Sequence, residues 1–180
     1  PPVPAAKSDQ PPTAPPTPEP SRGWTDLSPA ADSVVVYVSA STGSDIAAGT
    51  PEAPLRTLAA GYARLRNGKP DQLLLKCGDT FEESISWAKS ARGNGRMVVS
   101  KYGTGPLPKI RSRGTAFHIG TSGPDGLGFF HLDIAPSKPT SGSSTFVIFT
   151  PTSNVRIEGC RCTGFASNIV AQEVNTTAQS

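Results

Sequence analysis

The chain has 180 residues, of which 36% are hydrophobic, with 19 Pro and 18 Gly. That length can bury one sizeable core, but so much Pro and Gly argues against a helical bundle and for turn-rich all-β structure joined to a disordered portion. The net charge is only +3, with Lys and Arg scattered along the chain, which excludes the electrostatic footprint of a nucleic-acid binder. No run approaches the ~20 apolar residues of a transmembrane helix, and no basic start followed by an apolar stretch marks a secretory leader.

Residues 1–23, which begin PPVPAAKSDQPPTAPPTPEPSR, carry almost nothing to bury. They are expected to form an extended, polyproline-like linker, either a tether or a plain tail, ahead of a folded part at residues 24–180. Residues 33–39, SVVVYVS, are β-branched and aromatic, and predict a strand buried on both faces. After the loop ASTGSDIAAGTPEAP, Pro54 is placed to open a helix. Leu55, Leu58, Tyr62 and Leu65 follow at helical spacing up to an Asn67-Gly68 stop, which predicts about three turns of amphipathic helix.

Residues 73–110 read LLLKCGDTFEESISWAKSARGNGRMVVSKYGTGPLPKI. The apolar runs at 73–75, 85–87 and 97–99 are cut apart by GD, GNG and GTGP turn signals, and each is too short for a helix. Winding in short strands fits a β-solenoid, where each coil buries its apolar side by stacking on the next. A single helix among such strands suits a lid over the unpaired first coil. Self-alignment at an offset of 28 supports the winding: Leu127 falls over Val155, Phe129 over Ile157, Leu132 over Cys160 and Ile134 over Cys162, with the loop APSKPTSGSS inserted. In this register Asp133 falls over Arg161 on the outer surface, which predicts an ion-pair rung of small energetic value.

The stretch YVSASTGSDIAAGTPEAPLRTL at residues 37–58 carries a strand, G-S-D, a loop with G-T and then P-L-x-T-L. It resembles the amino-terminal signature of right-handed parallel β-helix proteins of the pectin-lyase-like superfamily. LLLKCGDTF and SKYGTGPLPKI are similar to the first coils of that family, although Cys77 stands where a charged or small residue is frequent before G-D-T. The resemblance covers residues 34–174 and implies an all-β right-handed parallel β-helix with an amino-terminal capping helix. With about four coils visible and the chain opening on Pro1, this part reads as the amino-terminal segment of a longer, processed protein.

Cys77, Cys160 and Cys162 match no metal spacing. The register points Cys160 and Cys162 inward as small hydrophobes and puts Cys77 roughly 14 Å away, so no bridge is expected among the three.

For polysaccharide lyases of this architecture the resemblance implies a cleft along one sheet, acidic side chains holding calcium, and a Lys or Arg abstracting the proton beside a uronate carboxylate. Glycosidases of the same architecture use paired carboxylates. Neither motif occurs, so no catalytic residue is assigned and calcium is implied by resemblance only. The outward residues Lys76, His131, Asp133, Arg156, Glu158 and Arg161 are the candidates to line a saccharide groove, with Asp133 and Glu158 as the carboxylates for a cation. The plainer account of the same six is a set of solvated ladder positions and local ion pairs. His118 and His131 lack zinc-pair spacing. Trp24 and Trp87 suit either sugar stacking or packing at the capped end. Asn175-Thr176-Thr177 is a glycosylation acceptor only in a eukaryotic secretory setting.

Two functions are therefore carried forward. The first is recognition, extending to cleavage, of an extracellular polysaccharide by a full-length, monomeric protein that is secreted or held in the cell envelope. The second is a non-catalytic surface solenoid serving as adhesin, spacer or carbohydrate-binding module.

Overall fold

The computed structural model describes residues 25–93, 95–120, 124–138, 141–149 and 151–172. The linker, Trp24 and Asn175-Thr176-Thr177 lie outside them. Among the described residues the order is β1 (Val35–Val38), α1 (Leu58–Arg64), then four strand triplets. These are β2 (Gln72–Lys76), β3 (Thr80–Phe81) and β4 (Ile85–Trp87); β5 (Met97–Tyr102), β6 (Lys109–Ser112) and β7 (Phe117–Ile119); β8 (Asp125–Phe130), β9 (Asp133–Pro136) and β10 (Ser144–Phe149); β11 (Ser153–Glu158), β12 (Arg161–Cys162) and β13 (Ser167–Gln172). Each triplet is one coil, and like strands stack into three parallel sheets, ordered β1-β2-β5-β8-β11, β3-β6-β9-β12 and β4-β7-β10-β13. The protein is a parallel β-helix.

Strand alternation builds the interior. One residue in two points inward, and the inward positions stack coil on coil: Leu73, Val99, Phe129 and Ile157 in the first sheet, Phe81, Ile110, Ile134 and Cys162 in the second, Ile85, Phe117 and Phe146 in the third, where Ile169 continues the register on the last described coil but is 56% exposed. The 28-residue register holds as the alignment predicts. Phe129 sits at the centre, its ring 4.9 Å from Phe117, 5.0 Å from Phe146 and 5.7 Å from Trp87. Burying each such ring contributes roughly 1.5–3 kcal/mol.

Two local expectations need correction. Strand β1 is not buried on both faces: Val36 and Val38 are inside, while Val35 and Tyr37 are half-buried. Like every strand of the wall it has one face toward the interior and one outward, so only alternate residues meet the core. The helix is shorter than three turns and begins at Leu58 with Thr57 as N-cap. Leu55 instead bridges Val38 in extended backbone, because its amide and carbonyl are taken by Tyr37 and Ser39.

A seven-residue helix does not persist alone, and here side chains from the loop and the first coil close both of its ends. Asp45 accepts from the Arg56 and Thr57 amides, each at 2.9 Å. Glu83 takes the Leu58 and Ala59 amides at 2.9 and 3.0 Å. At the other end Lys89 Nζ donates to the carbonyls of Tyr62, Ala63 and Leu65 and lies over the Tyr62 ring at 4.6 Å. Charges of these signs are those the helix dipole favours at each end. Gly61 lets the helix settle on the core, since a Cβ there would come within 2.5 Å of Leu73 and 2.7 Å of Val38.

Asp71 fixes the entry to the first coil. Its side chain is fully buried, bound by the Arg66 guanidinium through both oxygens at 3.0 and 2.6 Å and by the amides of Val34 and Arg66. Burial alone would push its carboxyl up, but these donors outweigh it and hold it below the ordinary aspartate value. Asp79 of the G-D-T turn does similar work, accepting from Ser39 Oγ at 2.7 Å and the Ser41 amide at 3.2 Å.

Lys89→Met removes the cation from three carbonyls and is expected to lower stability by about 1–3 kcal/mol in urea unfolding; a variant as stable as the wild type contradicts this role. A depressed aspartate pKa stabilises the fold above the unfolded value, ~3.9, and that contribution is lost as pH falls through the lower folded value. The Asp71→Asn chain should therefore be less stable at neutral pH and lose less on acidification, measured as urea midpoints from about pH 7 down to about pH 2.5.

Candidate functional site

Alternation that sends Phe81, Ile110, Ile134 and Cys162 inward must send their neighbours outward. On the β3-β6-β9-β12 sheet this makes an outer row of Thr80, Lys109, Asp133 and Arg161, with Arg111 beside Ala135 in the next row. Coils lie about 4.8 Å apart, so Lys109 and Arg161 flank Asp133 at roughly 10 Å from each other. The face forms a shallow groove of about 480 Å³, lined by these charges with Pro106, Leu107 and Thr163.

The expected rung between Asp133 and Arg161 is not the ion pair that forms. Arg111 reaches diagonally and donates from Nη1 to Asp133 Oδ1 at 3.1 Å, and to the Ile110 and Asp133 carbonyls at 3.1 and 3.2 Å. Held by three acceptors, that guanidinium satisfies Asp133 in a half-buried position. Lys109 and Arg161 stay exposed and form no ion pair among the described residues.

The six predicted residues are not brought together. Only Asp133 and Arg161 share the groove. Lys76 ends β2 on the five-stranded sheet, its Nζ 3.4 Å from Thr42 Oγ1. Arg156 and Glu158 lie on β11 of that sheet, paired at 2.7 Å. His131 occupies the corner between β8 and β9 in left-handed backbone, φ 56°, its amide bonded to the Glu158 carbonyl. Asp133 and Glu158 thus belong to different sheets, each with its own arginine. The Thr25 amide and hydroxyl and Arg156 also hold the Glu158 carboxyl below its ordinary value. Calcium takes six to eight oxygen ligands; the groove offers one carboxylate, already bound to Arg111, and no cluster of three metal-ligating side chains occurs among the described residues. These residues do not fit calcium.

His118 is exposed on the outer face of β7, in register with Ser86 and Val147. Trp87 is 1% exposed, packed on Tyr62 at 4.7 Å with its Nε1 donating to the Lys89 carbonyl, so it offers no stacking platform. The readable signal for the missed groove residues was the motif K-I-R at 109–111, which has the same alternation around an inward residue as D-I-A at 133–135 and R-C-T at 161–163.

The three thiols are free. Cys160, behind the groove, has its thiol pushed up to about 11 by burial, and burial raises Cys162 too. Cys77 is buried with its sulfur 3.4 Å from the Gly103 carbonyl.

No family model and no curated protein matches the sequence. Solved structures do match the fold. A crystal structure of the GH136 lacto-N-biosidase from Eubacterium ramulus, as the selenomethionine derivative, superposes with a TM-score of 0.55 at 20% identity over 69% of this chain and 27% of that one. The native form of the same enzyme gives 0.52 at 21% identity, over 68% and 26%. The chain therefore spans about a quarter of the length of these neighbours, and the likeness is one of fold.

Thiolates, not thiols, react with aromatic disulfide reagents. At about pH 8 the folded protein should label slowly at Cys160 and Cys162, whose thiols burial raises, and at Cys77, which is buried from the reagent, with all three rapid in urea. Fast labelling of Cys160 in the folded chain would show that the coil behind the groove is open.

Proposed function

We propose that this chain is the capped end of a carbohydrate-binding β-helix whose groove on the β3-β6-β9-β12 sheet takes an acidic polysaccharide. The observation that carries the reading is the pair of exposed cations, Lys109 and Arg161, without an ion pair among the described residues and spaced along the helix axis on either side of a neutralised Asp133–Arg111 pair. A polymer lying across the coils would present its anionic groups to these cations and its hydroxyls to Thr163 and Thr80. The lacto-N-biosidase fold likeness supports a carbohydrate ligand for this architecture.

Binding, rather than cleavage, is the role assigned to this segment. Glycoside hydrolysis calls for two carboxylates at a defined separation, and the groove has one, engaged by Arg111. Any hydrolytic or lyase activity of a full-length protein would use other residues. On this reading the full-length protein is secreted or held in the cell envelope, where it would meet an acidic glycan, and works as a monomer. The second reading, a spacer or adhesin without a glycan ligand, is favoured by the dense internal pairing of Arg156 with Glu158 and of Arg111 with Asp133.

Electrophoresis through gels containing polygalacturonate, heparin or uncharged glucan separates the two. The expected result is retardation by an acidic glycan that fades with added salt, as exposed charge pairs are screened. Lys109→Ala with Arg161→Ala should weaken it by about tenfold, equivalent to about 1.4 kcal/mol. No retardation by any of the three would overturn the acidic-glycan reading.

A further inference from the structure

The third sheet, β4-β7-β10-β13, has an outer face unlike the charged one beside it. Its central outward row is Ser86, His118, Val147 and Val170, in register coil on coil. One position past the inward-facing Trp87, Ile119 and Ile148, the chain brings Ala88, Gly120 and Phe149 to the same outer face. The two rows border a recess of about 390 Å³, lined among the described residues by Ser86, Trp87, Ala88, His118, Gly120 and Phe149. That volume falls within the range of small-ligand sites, roughly 300–1,000 Å³. No Asp, Glu, Lys or Arg is among these residues.

The recess has a bare floor, an aromatic wall and two uncommitted polar groups. At Gly120, φ 70°, a Cβ would come within 2.3 Å of Pro124 Cδ and 2.8 Å of Thr152 Oγ1, so the position takes no side chain. The floor amides already have acceptors: that of Gly120 donates to the Trp87 carbonyl at 2.9 Å and that of Ala88 to the Tyr62 hydroxyl oxygen at 3.0 Å. Contacts to a ligand therefore fall to side chains. Phe149 is half-buried, and Ser86 and His118 are exposed side by side on adjacent coils, so solvent reaches all three. Neither the Ser86 hydroxyl nor the His118 ring has a hydrogen-bond partner among the described residues. An accessible apolar ring beside free donors and acceptors, with no fixed charge, complements a molecule that has C–H groups on one face and hydroxyls around its rim. A carboxylate or phosphate would find no lysine or arginine here, and a wholly apolar ligand would strip water from Ser86 and His118 without replacing its hydrogen bonds.

We propose that this recess binds one ring of a neutral saccharide. The C–H face of the sugar packs on Phe149, and its rim hydroxyls exchange hydrogen bonds with the His118 imidazole and the Ser86 hydroxyl. The site stands on a different sheet from the Lys109 and Arg161 groove and does not rest on the acidic-glycan reading. Its contacts are apolar and neutral, so added salt leaves them in place where it weakens exposed charge pairs.

The test follows the ring protons of His118 and Phe149 by ¹H NMR in the 180-residue chain during titration with methyl glucoside, methyl galactoside and N-acetylglucosamine, with glucuronate as the charged counterpart. One packed ring and two hydrogen bonds put the Kd in the millimolar range. The expected result is a saturable shift of both rings with at least one of the neutral sugars, unaffected by added salt, and no tighter binding of glucuronate. Phe149→Ala should weaken binding by about tenfold or more, and Phe149→Tyr, which keeps an aromatic face, should retain it. His118→Ala, at an exposed position, should weaken it severalfold, read from the Phe149 signals. Should Phe149→Ala fail to fold, His118→Ala decides. Absence of a saturable shift with all three neutral sugars, or unchanged binding in whichever of these two variants folds, overturns the proposal. Tighter binding of glucuronate, or a shift lost in salt, overturns the choice of a neutral ligand.

Discussion

A stack of parallel coils satisfies the backbone of every strand except at its ends, and the structure depends on how the first end is closed. Strand β1 lies on β2, and a seven-residue helix packs against β1. Such a helix has more unpaired amides and carbonyls than it can satisfy internally. Glu83 and Lys89 reach up from the first coil to take them, while Asp45 reaches across from the loop. The cap and the first coil therefore stabilise one another, and removing Glu83 or Lys89 leaves helix-end amides or carbonyls without their side-chain partner.

Below the cap, alternation divides the work. Inward positions form continuous apolar ladders that fix the register, because a one-residue slip would turn every ladder inside out. Outward positions are released from packing, so neighbouring coils can set lysine, aspartate and arginine beside one another without disturbing the core. The groove charges arise from this freedom: Arg111 neutralises Asp133 and thereby leaves Lys109 and Arg161 as the cations available to a partner.

The five-stranded sheet is used differently. Its outer face carries Phe130, fully buried, and Glu158, whose carboxylate ties down Thr25 from the start of the described chain. One sheet thus presents an open charged face and another a face that pairs with an amino-terminal segment, although both are built from the same coils.

The sequence by itself determined the architecture. Short apolar runs between G-D, G-N-G and G-T-G-P turns, a 28-residue repeat of apolar positions and a single amphipathic segment leave few folds that bury everything they must, and Asp133 and Arg161 were legible as outward neighbours from that repeat. Helix length was not legible, because Leu55 has the right spacing for a helix but its backbone is claimed by β1, a contact between segments. Nor were the partners of the charges. Register says which residues are adjacent, but the choice of Arg111 over Arg161 by Asp133 depends on where a long side chain finds additional carbonyls. Glu158 was read as a groove residue and proved to be an anchor for Thr25, 133 positions away. Ladders are decided by periodicity, which the chain carries locally; charge partners are decided by which distant segments the fold brings within hydrogen-bond reach.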